Sequence, residues 1–427
     1  MKSYKKIIYF LSAFMIGFTS CTTDDGPDVD DNFLNYEIPE IPVTQDYIVG
    51  AYYAEAPSGG LSEQIWNRLT NPEGWKPESG LYGPRVMPVL GNWKHNNKAS
   101  QEMIKILQQQ VDWAIQAKID FFILPPINED QNKLYPNNLN ADNVRFTDLL
   151  SGRMGSDGNP ITSTTGTSVN LKGLKYALML NPNSLTTNLN NQTPIESVAS
   201  TTIAGQQVTR VKRFYEVVRR MADYFSDENY YKVDGKPMFI IKNPHNIYAL
   251  DTKKIYDDLR KYIKEATGKD MYIVVQQQVW EPAGRFQYTF GDAKVDAVTL
   301  KDEGGMYNQS QSQRSLLYPQ MIDQNWKYNK NFLMSTWGED FIPSVSPSFN
   351  RWVESGGNYN YPIVEKNPKT FATYCNVAKM NMGTKRIVLI DSFNQWKFDT
   401  AIEPADPLVG NGYGTQYLEV LKQQFKK

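Results

Sequence analysis

A chain of 427 residues is long enough for one large domain or two ordinary ones. Its 45 basic and 46 acidic side chains leave a net charge of −1, which excludes a global basic field for nucleic acid. The two histidines, His95 and His245, stand in no metal-ligand spacing, and the chain has no P-loop, strand-linked G-x-G-x-x-G or G-x-S-x-G, so neither a metal nor a cofactor is expected.

The first element reads as a processing signal. Lys2, Lys5 and Lys6 precede the apolar run Ile7–Phe18, whose 12 residues are too few to span a bilayer. The run closes on Thr19-Ser20-Cys21, small residues before a cysteine, which resembles a bacterial lipobox with Cys21 as the lipidated N-terminus. A plain secretory signal with an incidental cysteine is the alternative. The following CTTDDGPDVDD carries five Asp in eleven residues and cannot bury itself. It resembles the acidic export signal of Bacteroidetes surface lipoproteins. The expected organisation is a signal at 1–20, a solvated tether at 21–46 and one folded domain at 47–427, lipid-anchored in the outer membrane and facing outward. Cleavage of the signal leaves a net charge of −4. With Cys21 lipidated, Cys375 is the remaining cysteine and no internal disulfide can form.

Beyond the tether, strand-like and helix-like segments alternate. Short continuous apolar runs fall at 47–53, 86–90, 120–124, 176–180, 237–241, 271–275, 297–300, 331–334 and 386–390, as in strands buried on both faces. Between them lie amphipathic stripes, Met103-Leu107-Val111-Ala114-Ile115 and Val211-Phe214-Val218-Met221-Phe225, with similar patterns at 254–264 and 415–425. This alternation predicts an α/β fold, a single (β/α)8 barrel with long loop insertions at 128–170 and 183–207. Nine candidate strands are one too many, so one is expected to be an extra loop strand. An open doubly wound sheet is the alternative.

The strands share a habit: each runs apolar and then ends in polar or aromatic groups. Tyr52, Tyr53 and Glu55 follow the first, Asn92 and Trp93 the second, Asn243 and His245 the run at 237–241. Gln276, Gln277, Gln278 and Trp280 follow 271–275, Asp302 and Glu303 follow 297–300, and Trp337, Glu339 and Asp340 follow 331–334. Asp391, Asn394, Gln395 and Trp396 follow 386–390. In a barrel these ends converge on one mouth. Amides and carboxylates suit sugar hydroxyls, and flat rings suit the C–H faces of a pyranose. Little positive charge is expected there, which argues against a phosphorylated ligand.

The segment Ser392–Pro404, SFNQWKFDTAIEP, resembles S-F-N-E-W-x-E-G-T-x-I-E-P of glycoside hydrolase family 99, the endo-α-mannosidases, and of the related WbsX-like enzymes. Tyr413-Gly414 with Tyr417-Leu418-Glu419 is similar to their closing Y-G-x-x-Y-L-E, and Phe341–Phe349 (FIPSVSPSF) to their S-V-S-P-G-Y segment. Asp234-Gly235-Lys236-Pro237, the opening YIVGAYY and WAIQAKIDFF at 113–122 resemble further family elements. The resemblance implies a barrel whose two catalytic carboxylates stand in N-E-W-x-E, one activating the sugar O2 and one acting as general acid. At those positions this chain has Gln395 and Phe398. Replacement carboxylates are sought in Glu303, Glu339, Asp399 and Asp391, each of which has a plain structural alternative as a cap, a loop clamp or a solvent-facing group. Two functions are thus carried forward. The first is a diverged glycoside hydrolase acting on a polysaccharide, α-mannan being a candidate. The second is a catalytically silent barrel that captures glycan for neighbouring uptake proteins.

Overall fold

The computed structural model describes residues 34–54, 63–70, 75–76, 81–82, 85–91, 101–130, 139–153, 169–203, 206–278, 287–301, 311–355 and 364–427. One compact unit spans Ile38–Lys427. It begins nine residues before Tyr47: the Ile41 N–H donates to Asn376 Oδ1 at 2.9 Å, and Lys379 Nζ donates to the Ile41 carbonyl at 2.6 Å. The stretch from Ile38 to Asp46, expected in the tether, is therefore fastened to the fold.

That fold is a (β/α)8 barrel. Its strands are β1 (Ile48–Tyr52), β2 (Phe121–Ile123), β3 (Lys175–Asn181), β4 (Lys236–Lys242), β5 (Tyr272–Gln278), β6 (Ala297–Lys301), β7 (Asp340–Ile342 and Ser344–Val345) and β8 (Ile387–Ile390). Each pairs in parallel with its neighbours in chain order. β7 closes the circle because Pro343 divides it: its first half pairs with β6, its second with β8, and β8 pairs with β1. Two expected strands are not strands. Val86–Leu90 holds only an isolated bridge, Pro88 to Ala405, and Asn331–Met334 is helical, passing from the long helix Gln311–Phe332 into a wide turn at Leu333–Trp337. The strand missed is β7, and with it the count becomes eight.

Helices α1 (Gln101–Gln116), α2 (Ala141–Leu150), α3 (Arg210–Met221), α4 (Thr252–Thr267), α5 (Gln311–Phe332), α6 (Pro368–Met380) and α7 (Gln416–Phe425) follow strands on the outside. Their ends are written in the sequence. The Asp251 carboxylate accepts the Lys254 N–H at 2.9 Å to start α4, and Gly268 at φ 72° ends it. Asn367 accepts the N–H groups of Lys369 and Thr370, with Pro368 as the first residue of α6. The two-residue turn Asp234-Gly235, both at positive φ, sends the chain into β4.

Strand periodicity sorts the side chains into two cores. Tyr52, Phe121, Ile123, Ala177, Met179, Met238, Ile240, Tyr272, Val274, Ala297, Ile342, Ile387 and Leu389 fill the lumen. Their alternates, among them Val49, Ala51, Phe239, Ile241, Val275, Val298 and Ile390, pack under the helices. Gly50 belongs to the lumen set, where an added Cβ would meet the Phe121 ring at 2.3 Å, so only glycine lets that ring in.

Candidate functional site

The same alternation decides which strand ends form the mouth. At the C-terminal ends of the strands, the inward positions are Tyr52 and Met179 at the top of the lumen core and, beyond it, Lys242, Gln276, Lys301 and Asp391. All six line a cavity of about 330 Å³ at the C-terminal ends of the strands, together with Tyr53, Ala54, Pro126, Phe349, Gln395, Phe398 and Thr400. Gln276 Nε2 donates to the Tyr52 hydroxyl at 2.7 Å, and Lys301 Nζ pairs with Asp391 Oδ2 at 2.5 Å. Phe398 stacks on Phe349 with centroids 5.7 Å apart. Gln395 lines the cavity, and its buried Oε1 has no hydrogen-bond partner. Burial and the nearby Lys301 push the Lys242 ammonium below its ordinary pKa, against the pull of Asp391. Two lysines therefore reach the mouth, where little positive charge was expected. Lys242 was overlooked because it reads as the last residue of its strand rather than as its exit.

The exit of β8 is fixed to that of β1. The Phe393 N–H donates to the Tyr52 carbonyl at 2.8 Å, and the Ala54 N–H donates to Asn394 Oδ1 at 2.8 Å. Behind this, the fully buried Glu403 accepts from Trp396 Nε1 and from Gln110 Nε2, both at 2.8 Å, while the Tyr53 hydroxyl donates to Gln110 Oε1. Glu403 and Gln110 were not singled out in the sequence. Nothing in strand-end polarity marks a helix glutamine or a glutamate thirteen residues beyond its strand.

Several expected site residues lie elsewhere. Trp396 is 0 % exposed and stacked on Tyr413, a core residue rather than a sugar platform. Asn394 is fully buried as the staple just described. Tyr53 reaches the cavity edge, but its hydroxyl turns outward to Gln110. Gln277 has the outward parity, and its amide donates to Thr289. Asn243, at φ 50°, turns the chain into a short 3-10 helix, Pro244–Asn246, where the His245 carbonyl accepts from the Tyr288 hydroxyl. Neither residue lines the cavity. Asp399 is turned away from the mouth by its own φ of 59° and is buried against Lys366 at 3.1 Å, beside a separate cavity of about 250 Å³. Trp337 and Glu339 are at the opposite end of the barrel. With 331–334 helical, they precede β7 instead of following a strand; Trp337 packs over Gly291, and Glu339 lines a cavity of about 410 Å³ at the N-terminal ends of the strands. Of the four candidate catalytic carboxylates, only Asp391 lines the mouth among the described residues. Glu55, Trp93, Trp280, Asp302, Glu303 and Cys21 lie outside the described residues.

A closed parallel barrel with a polar mouth at its C-terminal face defines the class, a (β/α)8 barrel of the kind that carries its site at that face. The family model described as "Glycosyltransferase WbsX" matches residues 191–421, over half of the chain, and the chain belongs to that WbsX family. A solved glycoside hydrolase-like protein is similar at 29 % identity and a TM-score of 0.70, over 93 % of this chain and 99 % of that one. The GH99 endo-alpha-mannosidase from Bacteroides thetaiotaomicron shares the fold, at 15 % identity and a TM-score of 0.52 in complex with bis-tris propane, over 89 % of this chain and 97 % of that one. A second structure of that mannosidase matches at 14 % identity and a TM-score of 0.50, over 89 % and 98 %. No curated protein matches the chain.

Proposed function

We propose that the chain is a carbohydrate-active protein that takes a sugar unit of a polysaccharide into the barrel mouth, and that this mouth holds its glycan without the family's catalytic pair. One observation carries the reading: Gln395 and Phe398, where the resemblance places the two carboxylates, both line the cavity, one as an amide and one as a phenyl ring. The cavity volume of about 330 Å³ falls within the usual range for ligand sites, about 300–1,000 Å³. Glycosidic hydrolysis takes two carboxyl groups, about 5–5.5 Å apart for retention or about 6.5–9.5 Å for inversion. The described mouth supplies Asp391 alone, and that carboxylate is tied to Lys301.

A second reading, a diverged glycoside hydrolase, is favoured by the position of Asp391 in the mouth and by Glu303, two residues past the mouth-lining Lys301. A panel of polysaccharides including α-mannan, scored for both binding and product release, separates the two. Binding without product supports capture. The double variant Gln395→Glu with Phe398→Glu is then expected to gain weak hydrolysis of an α-mannoside. Product release by the wild type that collapses in Glu303→Gln or Asp391→Asn selects the hydrolase. If no glycan in the panel binds, both readings fall. We further propose that the protein is a lipoprotein of the outer cell surface, held by lipid on Cys21 and passing glycan to neighbouring uptake proteins. The lipobox-like residues before Cys21 and the acidic run after it support this.

A further inference from the structure

We propose that the mouth selects an anionic sugar, one bearing a carboxylate or a sulfate ester, and that Lys242 reads the charge. This rests on the assignment of the mouth as the glycan site and names the class of glycan it takes. The argument begins with charge. The described residues lining the cavity include two lysines and one carboxylate. Lys301 and Asp391 neutralise one another in a pair at 2.5 Å, 5 % of the Asp391 surface remaining exposed. The Lys242 side chain makes no ion pair or hydrogen bond among the described residues, so the described lining carries one more positive charge than its ion pair balances.

Its placement is not that of a solvated surface lysine. Met238, Ile240 and Lys242 follow one another up the lumen face of β4, so the stem of Lys242 stands on the packed barrel interior and its head opens into the cavity. Burial disfavours the ammonium first, Lys301 repels it next, and Asp391 attracts it less than Lys301 repels it. A half-buried cation in that position is costly to keep, and an anion on the ligand offsets the cost. A site for a neutral sugar needs only amides and hydroxyls, which Gln276, Tyr52 and Gln395 already provide. The whole chain has a net charge of −1, so a general attraction for polyanions does not arise from its surface.

The test is equilibrium binding of the full chain to three polymers, a neutral α-mannan, a polyuronate and a sulfated galactan, at low and at physiological salt. One of the two anionic polymers is expected to bind about tenfold tighter than the mannan, with a preference that shrinks as salt rises. Which of them binds identifies the anion as carboxylate or sulfate. Lys242→Met is expected to bring the ratio of anionic to neutral affinity to about one, while Lys242→Arg retains it. Gln395→Ala weakens every polymer that binds and leaves the ratio in place. Mannan binding equal to or tighter than both anionic polymers overturns the inference while sustaining the glycan site. A ratio unchanged in Lys242→Met overturns the role of this lysine. Failure of all three polymers to bind rejects the glycan site itself, and the inference with it.

Discussion

Gln395 and Trp396 are neighbours in sequence and part company in space. The 3-10 turn at Trp396–Phe398 sends the tryptophan into the core and returns Phe398 to the cavity. Gln395→Ala is therefore expected to leave the fold intact and to weaken glycan binding by about 0.5–1.5 kcal/mol, the usual worth of one hydrogen bond. Isothermal titration against a bound polysaccharide measures this, and an unchanged affinity would take Gln395 out of the site. Trp396→Ala does the reverse. It removes a ring with no exposed surface and leaves Glu403 without one of its donors, so it should cost about 3–5 kcal/mol of stability in urea unfolding. A Trp396→Ala protein with wild-type stability would contradict its placement in the core.

The loop from β8 to α7 shows how an element is held for its site. Lys366 Nζ donates to the carbonyls of Asp399 and Ala401 at 3.0 and 2.8 Å and to the Asp399 carboxylate at 3.1 Å, with the Tyr413 ring 4.7 Å away. This anchor lies behind the turn that presents Gln395 and Phe398. Burial raises the pKa of Asp399 and Lys366 opposes the rise, so the carboxylate depends on its cation. Lys366→Met is expected to lower stability by about 3–5 kcal/mol, the cost of stranding one member of a buried pair, and adding Asp399→Asn should recover a large part of it. Additive losses in the double variant would show that the two residues do not act as a pair. This element also marks how far the sequence could be read. The apolar runs of β1 to β6 and β8 are local signals, and they were legible. β7 is not, because Pro343 splits it into two short pieces that pair with different neighbours. The run Asn331-Phe332-Leu333-Met334 has strand composition but is the tail of a long helix, a tertiary outcome that no short window holds. That one misreading moved Trp337 and Glu339 to the wrong end of the barrel. Within the strands that were legible, polar exits were taken without regard to parity, so of the adjacent pairs Tyr52-Tyr53 and Gln276-Gln277 the second member was assigned to the ligand, and Lys242 was passed over. A period of two, carried one residue beyond each apolar run, would have found the mouth.

At the scale of the whole molecule, anchoring and stability belong to regions far from the mouth. No helix among the described residues is long and apolar enough to cross a membrane. On the lipoprotein proposal the anchor is the lipid, so Cys21→Ala should move the protein from the membrane fraction to the soluble fraction, and retention in the membrane would reject the proposal. Stability should carry its own pH signature from the far end of the barrel. Glu339 is 4 % exposed, and burial, with Asp296 and then Asp292 adding to it against a backbone N–H, raises its pKa from 4.5 to about 8. The sign follows from which state holds the proton. Between about pH 4.5 and about pH 8 the folded protein keeps Glu339 protonated while the unfolded chain has released that proton. Stability contributed by this group is therefore complete below pH 4.5 and declines as pH rises through the window, by at most about 1.4 kcal/mol per unit, before levelling off above pH 8. Glu339→Gln keeps the shape and cannot ionise. Urea midpoints collected from pH 5 to pH 9 should fall less steeply in this variant than in the wild type, and at pH 9 the variant should be the more stable of the two. Parallel profiles would mean that Glu339 ionises in the folded state as readily as in the unfolded chain, and that water or a neighbouring cation reaches it at the base of the barrel.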